Sequence, residues 1–342
     1  MMIRKAATIA MTVLLAAVTC SLALGQAPPP TILEIDAENI VEYQNDITVL
    51  SDPSKIATNP NVTPAVPPRN FLWAVLIGDI VAVNGQPAKG TFVARTHAVT
   101  ATPAPNPGDA IADISTLAIR YQTFQILQSN GAPVGTIMAF GLEQGGNPPP
   151  GAPLAQTGQN FAIVGGTGAF LGARGQQGQE RTPQTVNARM ASAAEDPARR
   201  RINGGGMIRF ILHVIPMTTP QILTTASGPA VVHSSDFSLV TAAKPAAAGE
   251  ILSLFATGLG PTRPGVDPGQ PFPSNPPAAV NSPVEVRING KPAEVLAAVG
   301  FPGALDGYQV NFRMPPDAPK GATTVQVSAA WIGGAPVSIA VQ

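Results

Sequence analysis

Apolar residues in this chain fall in short runs, many of them alternating with polar ones, and the runs are separated by glycine, proline and asparagine-glycine pairs. A repeat of two places successive side chains on opposite faces of an extended strand, so the pattern predicts strands joined by turns. The first strong run is 71–83. Asn84-Gly85 behind it is the residue pair of a tight reversal, and the return stretch 91–100 is predicted to pair with it. A strand over 117–127, a turn at Asn130-Gly131 with a strand entering Gly135-Thr136-Ile137-Met138, and a closing strand over 207–214 follow. Past Pro216, runs at 250–257, 284–288, 308–314, 323–330 and 337–341 recur at even spacing between proline-rich turns, the pattern of a small sandwich.

The stretch 160–176, NFAIVGGTGAFLGARGQ, organises the first unit. Residues 161–164 are strand formers, and Gly165, Gly166 and Gly168 are expected to supply the positive φ of a tight turn, before a second strand through Arg174 and Gly175. The competing reading is a phosphate loop, since dinucleotide sites also open with a strand followed by Gly-x-Gly. That fingerprint places its third glycine where this chain has Leu171, and the residues after it are glycine and glutamine rather than an amphipathic helix. A hairpin is therefore expected.

The run IVGGTGAFLGARG resembles the signature hairpin of the dirigent and allene oxide cyclase barrel superfamily, and the resemblance extends over about residues 70–216. It implies an eight-stranded antiparallel barrel, a size that either fills with side chains or encloses one small apolar molecule. Residues 217–342, through GEILSLFATGLGP, VEVRINGKPAEVL, YQVNFRMP and GATTVQVS, resemble an immunoglobulin-like module found at the ends of many secreted bacterial proteins. The expected fold is thus all-β, a barrel followed by an immunoglobulin-like β-sandwich, with residues 1–25 a leader and 26–69 an approach segment that holds a candidate strand at 32–35.

Composition agrees with this picture. Charged residues make up 12%, with 34 glycines and 37 prolines, as many short strands and turns require. Arg4 and Lys5, the apolar stretch 6–24 and the small residues around Gly25 read as a secretory signal. Its removal leaves 18 basic against 20 acidic residues, a balance that does not seek nucleic acid. Cys20 lies in the leader, so the mature chain is expected to hold no thiol or cysteine metal site; lipidation at Cys20 is the alternative processing route. No later apolar run is long enough for a transmembrane helix. The expected location is secreted or cell envelope.

Candidate chemistry is sparse. On the 91–100 strand Arg95 and His97 share a face with Val93 and Val99; turned inward they would line a cavity with a cation and an imidazole, turned outward they are ordinary surface residues. Tyr121, on a strand with no cleanly apolar face, is the third pocket candidate. The histidines His97, His213 and His233 lie on separate elements, no nucleophile motif accompanies them, and no catalytic residue is assigned. Acidic residues 36–46 lack calcium-loop spacing, the run 199–201 reads as a solvated basic loop, and 145–153 as a spacer or lid, so no metal and no cofactor is expected. Two functions are open: an exported binding or structural barrel for an apolar molecule, with a cell-surface partner for the C-terminal unit, or a cyclase, isomerase or dirigent-type enzyme acting on an unsaturated or phenolic substrate. N-terminal mass spectrometry of the exported protein is expected to find cleavage near Gly25; retention of Met1 would contradict export.

Overall fold

A computed structural model of the chain describes residues 31–44, 70–100, 116–144, 160–192, 195–267 and 269–342. The leader, Cys20, the 145–153 stretch and the acidic residue Asp46 lie outside the described residues. Strands β1 (Thr31–Gln44), β2 (Asn70–Val83), β3 (Gln86–Thr100), β4 (Thr116–Gln128), β5 (Pro133–Gln144), β6 (Phe161–Gly168) and β7 (Arg174–Glu180) are followed by a short β8 (Arg189–Ser192) and by β9 (Gly206–Ile215). Sequential neighbours pair antiparallel from β2 to β7, β7 pairs with β9, β9 with β1, and β1 with β2. That last pairing closes an eight-stranded antiparallel barrel. β8 runs parallel beside the end of β1.

The first strand comes from the segment expected to be an approach to the barrel. Its period-two pattern is carried by acids: Leu33, Ile35 and Ala37 are buried while Glu34, Asp36 and Glu38 are only partly so. Asp36 receives Nε and Nη2 of Arg209 at 2.7 and 3.0 Å from the neighbouring β9, so the acidic face is a strand wall with a cation beside it. The alternating acids there do not form a loop.

The two-residue turn Asn84-Gly85 takes left-handed angles at both positions, φ 50° and 72°, which match the twist of a hairpin. The glycine hairpin departs from expectation. β6 runs straight through its glycines, pairing Ile137 with Gly166, Thr136 with Thr167 and Gly135 with Gly168, and the reversal falls at 169–173. Of the three glycines only Gly168 has positive φ, 61°. Gly166 is needed for space: a methyl group there would stand 2.2 Å from the Phe170 carbonyl oxygen and 2.8 Å from that of Thr136. Gly165 meets nothing nearer than the end of Met138, at 3.4 Å. Arg174 fastens the two legs, its Nη1 donating to the carbonyls of Val164 and Ala173 at 2.8 and 2.9 Å. At Gly175, φ is 138° and a side chain would run into the His213 carbonyl.

Inward residues fill the barrel's middle. Phe92, Phe124 and Phe210 meet with ring centroids 4.6 to 5.2 Å apart, surrounded by Ile35, Ile80, Ile126, Ile137 and Leu212. The floor is supplied from elsewhere in the chain: Ala330, Trp331 and Ile332, on a turn near the C-terminus, join this same cluster. The Gln128 amide donates to the Asn281 carbonyl and the Asn281 amide to that of Pro133, tying the second unit to the barrel beside the β4–β5 turn.

Beyond Pro216 the chain forms a second antiparallel sheet region, curled into a half-barrel around Leu252, Leu254, Val310, Phe312, Val325 and Val327. Its strands 251–257, 284–288, 308–313, 321–329 and 337–341 lie close to the predicted runs, whereas Lys291–Gly300, between Tyr308–Arg313 and Val284–Ile288, was not marked by the pattern. Of its ten residues five are half-buried, four exposed and only Gly300 is buried, so no buried apolar face marks it.

The basic run 199–201 is not a solvated loop throughout. Arg200 is buried, and both Arg200 and Arg201 grip Asp79 on the barrel wall, with Arg201 Nε at 2.7 Å and Asn39 Nδ2 at 3.1 Å. Burial alone raises the Asp79 carboxyl, but the hydrogen bonds from Arg201 and Arg200 outweigh it and hold it below the usual carboxylate range.

Two outcomes are expected from these contacts. Gly166→Ala should lower stability by about 1–3 kcal/mol through overpacking against backbone, whereas Gly165→Ala should change it by less than about 0.5 kcal/mol, both read from urea unfolding. Asp79→Ala should destabilise by on the order of 3 kcal/mol at neutral pH, because it strands a buried guanidinium. Since the folded carboxyl titrates below its unfolded value, this contribution is complete above the unfolded pKa of about 3.9 and fades as pH falls through the folded one. Unfolding curves of wild type and variant should therefore converge in acid; a gap that persists undiminished would contradict the ion-pair origin.

Candidate functional site

Strand parity places Phe92, Ala94 and Thr96 of β3, and Ala118, Arg120, Gln122, Phe124 and Ile126 of β4, on the buried side of the wall. Along both strands, away from the phenylalanine triad and the Trp331 floor, the buried residues change from aromatic to polar. Gln122 stands in a row between Ala94 and Ala139, and Arg120 between Thr96 and Gly141. On β7, Gln177 lies opposite Phe161, with Gln179 two residues on. A methyl group on Gly141 would lie 2.5 Å from the Phe161 ring, so that ring lies close against the glycine.

The polar groups are incompletely paired. Arg120 Nε donates to Thr96 Oγ1 at 2.9 Å, and Gln177 Nε2 to the Gly178 carbonyl at 2.8 Å. Gln177, at 0% exposure, keeps Oε1 without a protein partner, and Gln122, at 1%, keeps neither amide atom paired. An unsatisfied buried polar group costs about 1–3 kcal/mol, so these atoms mark places where a bound molecule or water completes the hydrogen bonding. Together these amide atoms offer one donor group and two acceptors.

Arg95, His97 and Tyr121 lie on the other side of the same strands and are exposed. Arg95 pairs in register with Tyr121, and Tyr121 with Phe140, their rings 4.8 Å apart. They belong to an outer wall that also exposes Val93, Ile119, Met138, Leu142 and Val164. Arg95 and His97 thus take the outward of their two orientations, as ordinary surface residues, and Tyr121 lies with them; a step of one residue along each strand separates them from the buried set. The signal that could have found the inner set is the parity of Phe92 with Thr96 and of Phe124 with Gln122 and Arg120.

The histidines do not converge. His97 is exposed on β3 and His213 half-buried on β9. His233 is buried in the second unit, its Nδ1 2.5 Å from Glu250 Oε1 and its Nε2 3.2 Å from the Lys244 carbonyl, a brace between turns. Among the described residues no group of three or more histidine, cysteine, aspartate or glutamate side chains is placed to hold a metal ion, and no helix is long and apolar enough to cross a membrane.

No known protein family matches the chain, and no curated protein sequence matches it.

Proposed function

We propose that this is an exported, non-catalytic binding barrel that holds one small, largely apolar molecule bearing at least one hydrogen-bonding group. The observation that carries this reading is the pair of buried amides, Gln122 and Gln177, with unpartnered atoms above an aromatic core. The aromatic triad and Phe161 offer the apolar body a surface, while Gln122, Gln177 and Arg120 fix its polar end. Export rests on the leader at residues 1–25. The eight-strand count supports the resemblance of the glycine hairpin to the dirigent and allene oxide cyclase superfamily. The C-terminal unit, read as an immunoglobulin-like module, would serve to engage a cell-surface partner. A cyclase, isomerase or dirigent-type activity is the second reading: a cavity of fixed shape could orient an unsaturated or phenolic substrate with Arg120 and Thr96 in place of Arg95, His97 and Tyr121.

Replacing Gln122 with leucine tests the proposal by opposing effects on stability and binding. Removing an unpaired buried amide should raise stability by about 1–3 kcal/mol in ligand-free protein. Native mass spectrometry of protein recovered from its own cells should show a small-molecule adduct on the wild type that the variant lacks. A destabilised variant, with no adduct on either protein, would mean that the amides serve the fold.

A further inference from the structure

The floor end of the barrel carries a second concavity, about 380 Å³ in volume, where the β6–β7 turn faces the C-terminal unit. From the barrel side it is lined by Gly168, Ala169 and Leu171, and from the second unit by Phe272, Leu305 and Tyr308, with Met217 on the connection between them. The contact is close: a methyl group built on Gly260 would stand 3.9 Å from the Ala169 Cα. A volume of this size at a junction between two structural units is within the range used by small-molecule sites.

Its side chains are of two kinds. Leu171, Met217 and Leu305 are 64%, 71% and 62% exposed, although each is large and apolar. Exposed apolar residues gathered around one cleft, rather than scattered singly, mark a surface that a ligand covers. Beneath them Phe272 and Tyr308 are buried with ring centroids 5.1 Å apart, and Tyr308 is anchored by its hydroxyl, which donates to the Gly260 carbonyl at 2.7 Å. Burial pushes the Tyr308 phenol upward, with the Asp306 carboxylate adding to the effect, so this hydroxyl remains a neutral donor. The charged residues of the lining are Asp267 and Asp306, and no lysine, arginine or histidine stands among the lining residues. The cleft therefore combines an apolar, partly aromatic surface with a one-signed negative charge.

We infer that this cleft is a binding site for a small organic cation, a molecule with an apolar body and an ammonium or amidinium end. The body covers Leu171, Met217 and Leu305 over the Phe272–Tyr308 floor. The cationic end meets Asp267 and Asp306. An anion of the same shape is disfavoured by both carboxylates, so discrimination between opposite charges on one apolar skeleton is the signature of the site. The site is independent of the amide-lined half of the lumen, which lies on the other side of the phenylalanine triad.

Isothermal titration calorimetry of the full chain with 4-phenylbutylamine and with 4-phenylbutanoate tests this directly. The amine should bind with a dissociation constant in the millimolar range or below, and the carboxylate at least about tenfold more weakly. Asp267→Asn combined with Asp306→Asn should erase the preference by weakening the amine about tenfold. Should the double variant fail to fold, Asp267→Asn alone, at an exposed position, is expected to weaken the amine severalfold. Equal affinity for amine and carboxylate, no saturable amine binding in the millimolar range, or an amine affinity unchanged in the Asp267→Asn variants would each overturn the inference.

Discussion

The pairing of β1 with both β2 and β9 is the constraint from which the rest of the structure follows. Without it the sheet would have two open edges, β2 and β9, each presenting unpaired backbone groups. With it the wall closes, its inner face is sealed, and the triad of Phe92, Phe124 and Phe210 becomes possible, because β9 is brought round to face β3 and β4. The closing strand is held on its outer face by Asp36 against Arg209, and its far end is flanked by β8 and the segment that Asp79 clasps. These ion pairs matter less for any attraction they add than for the register they enforce: a slip by one residue would bury Glu34 and Asp36 and expose Leu33 and Ile35.

Closure also explains how one lumen can have two characters. In an eight-stranded barrel the interior is just wide enough for side chains to fill it. Phe92, Phe124 and Phe210 do so at mid-height, whereas Ala94 on β3 and Ala139 and Gly141 on β5 stand a step further along, where the Phe161 ring lies against the glycine. The amides and guanidinium stand beside these small residues. The change from aromatic to polar lining is made by substitution within a fixed wall, with no change in backbone, so the two kinds of side chain stand on adjacent rungs.

Much of this was legible in the sequence. The all-β class, most of the strands and the Asn84-Gly85 reversal follow from period-two alternation and turn chemistry, which are local. What was not legible depends on partners distant along the chain. β1 was obscured because acids occupy its outer face and the arginine that neutralises them lies 173 residues away. The glycine hairpin was recognised for a torsional reason, but Gly166 is dictated by the Phe170 and Thr136 carbonyls folding over it. For the buried polar groups, residue type alone carried little signal. Arg95, His97 and Tyr121 attract attention as reactive types, while Gln122 and Gln177 are chemically bland and become informative only once burial is known.

The contribution of Ala330, Trp331 and Ile332 to the barrel floor bears on when the protein can finish folding. The strands of the wall are all available once β9 has been made, yet the group that seals their lower end is separated from β9 by more than a hundred residues of a different sheet. Until that turn has been made, the apolar lower interior of the wall lacks the group that covers it. Contacts of such long sequence separation form slowly. The half-barrel thus acts toward the barrel as a late-arriving stopper, and completion of the first unit waits on the last part of the second.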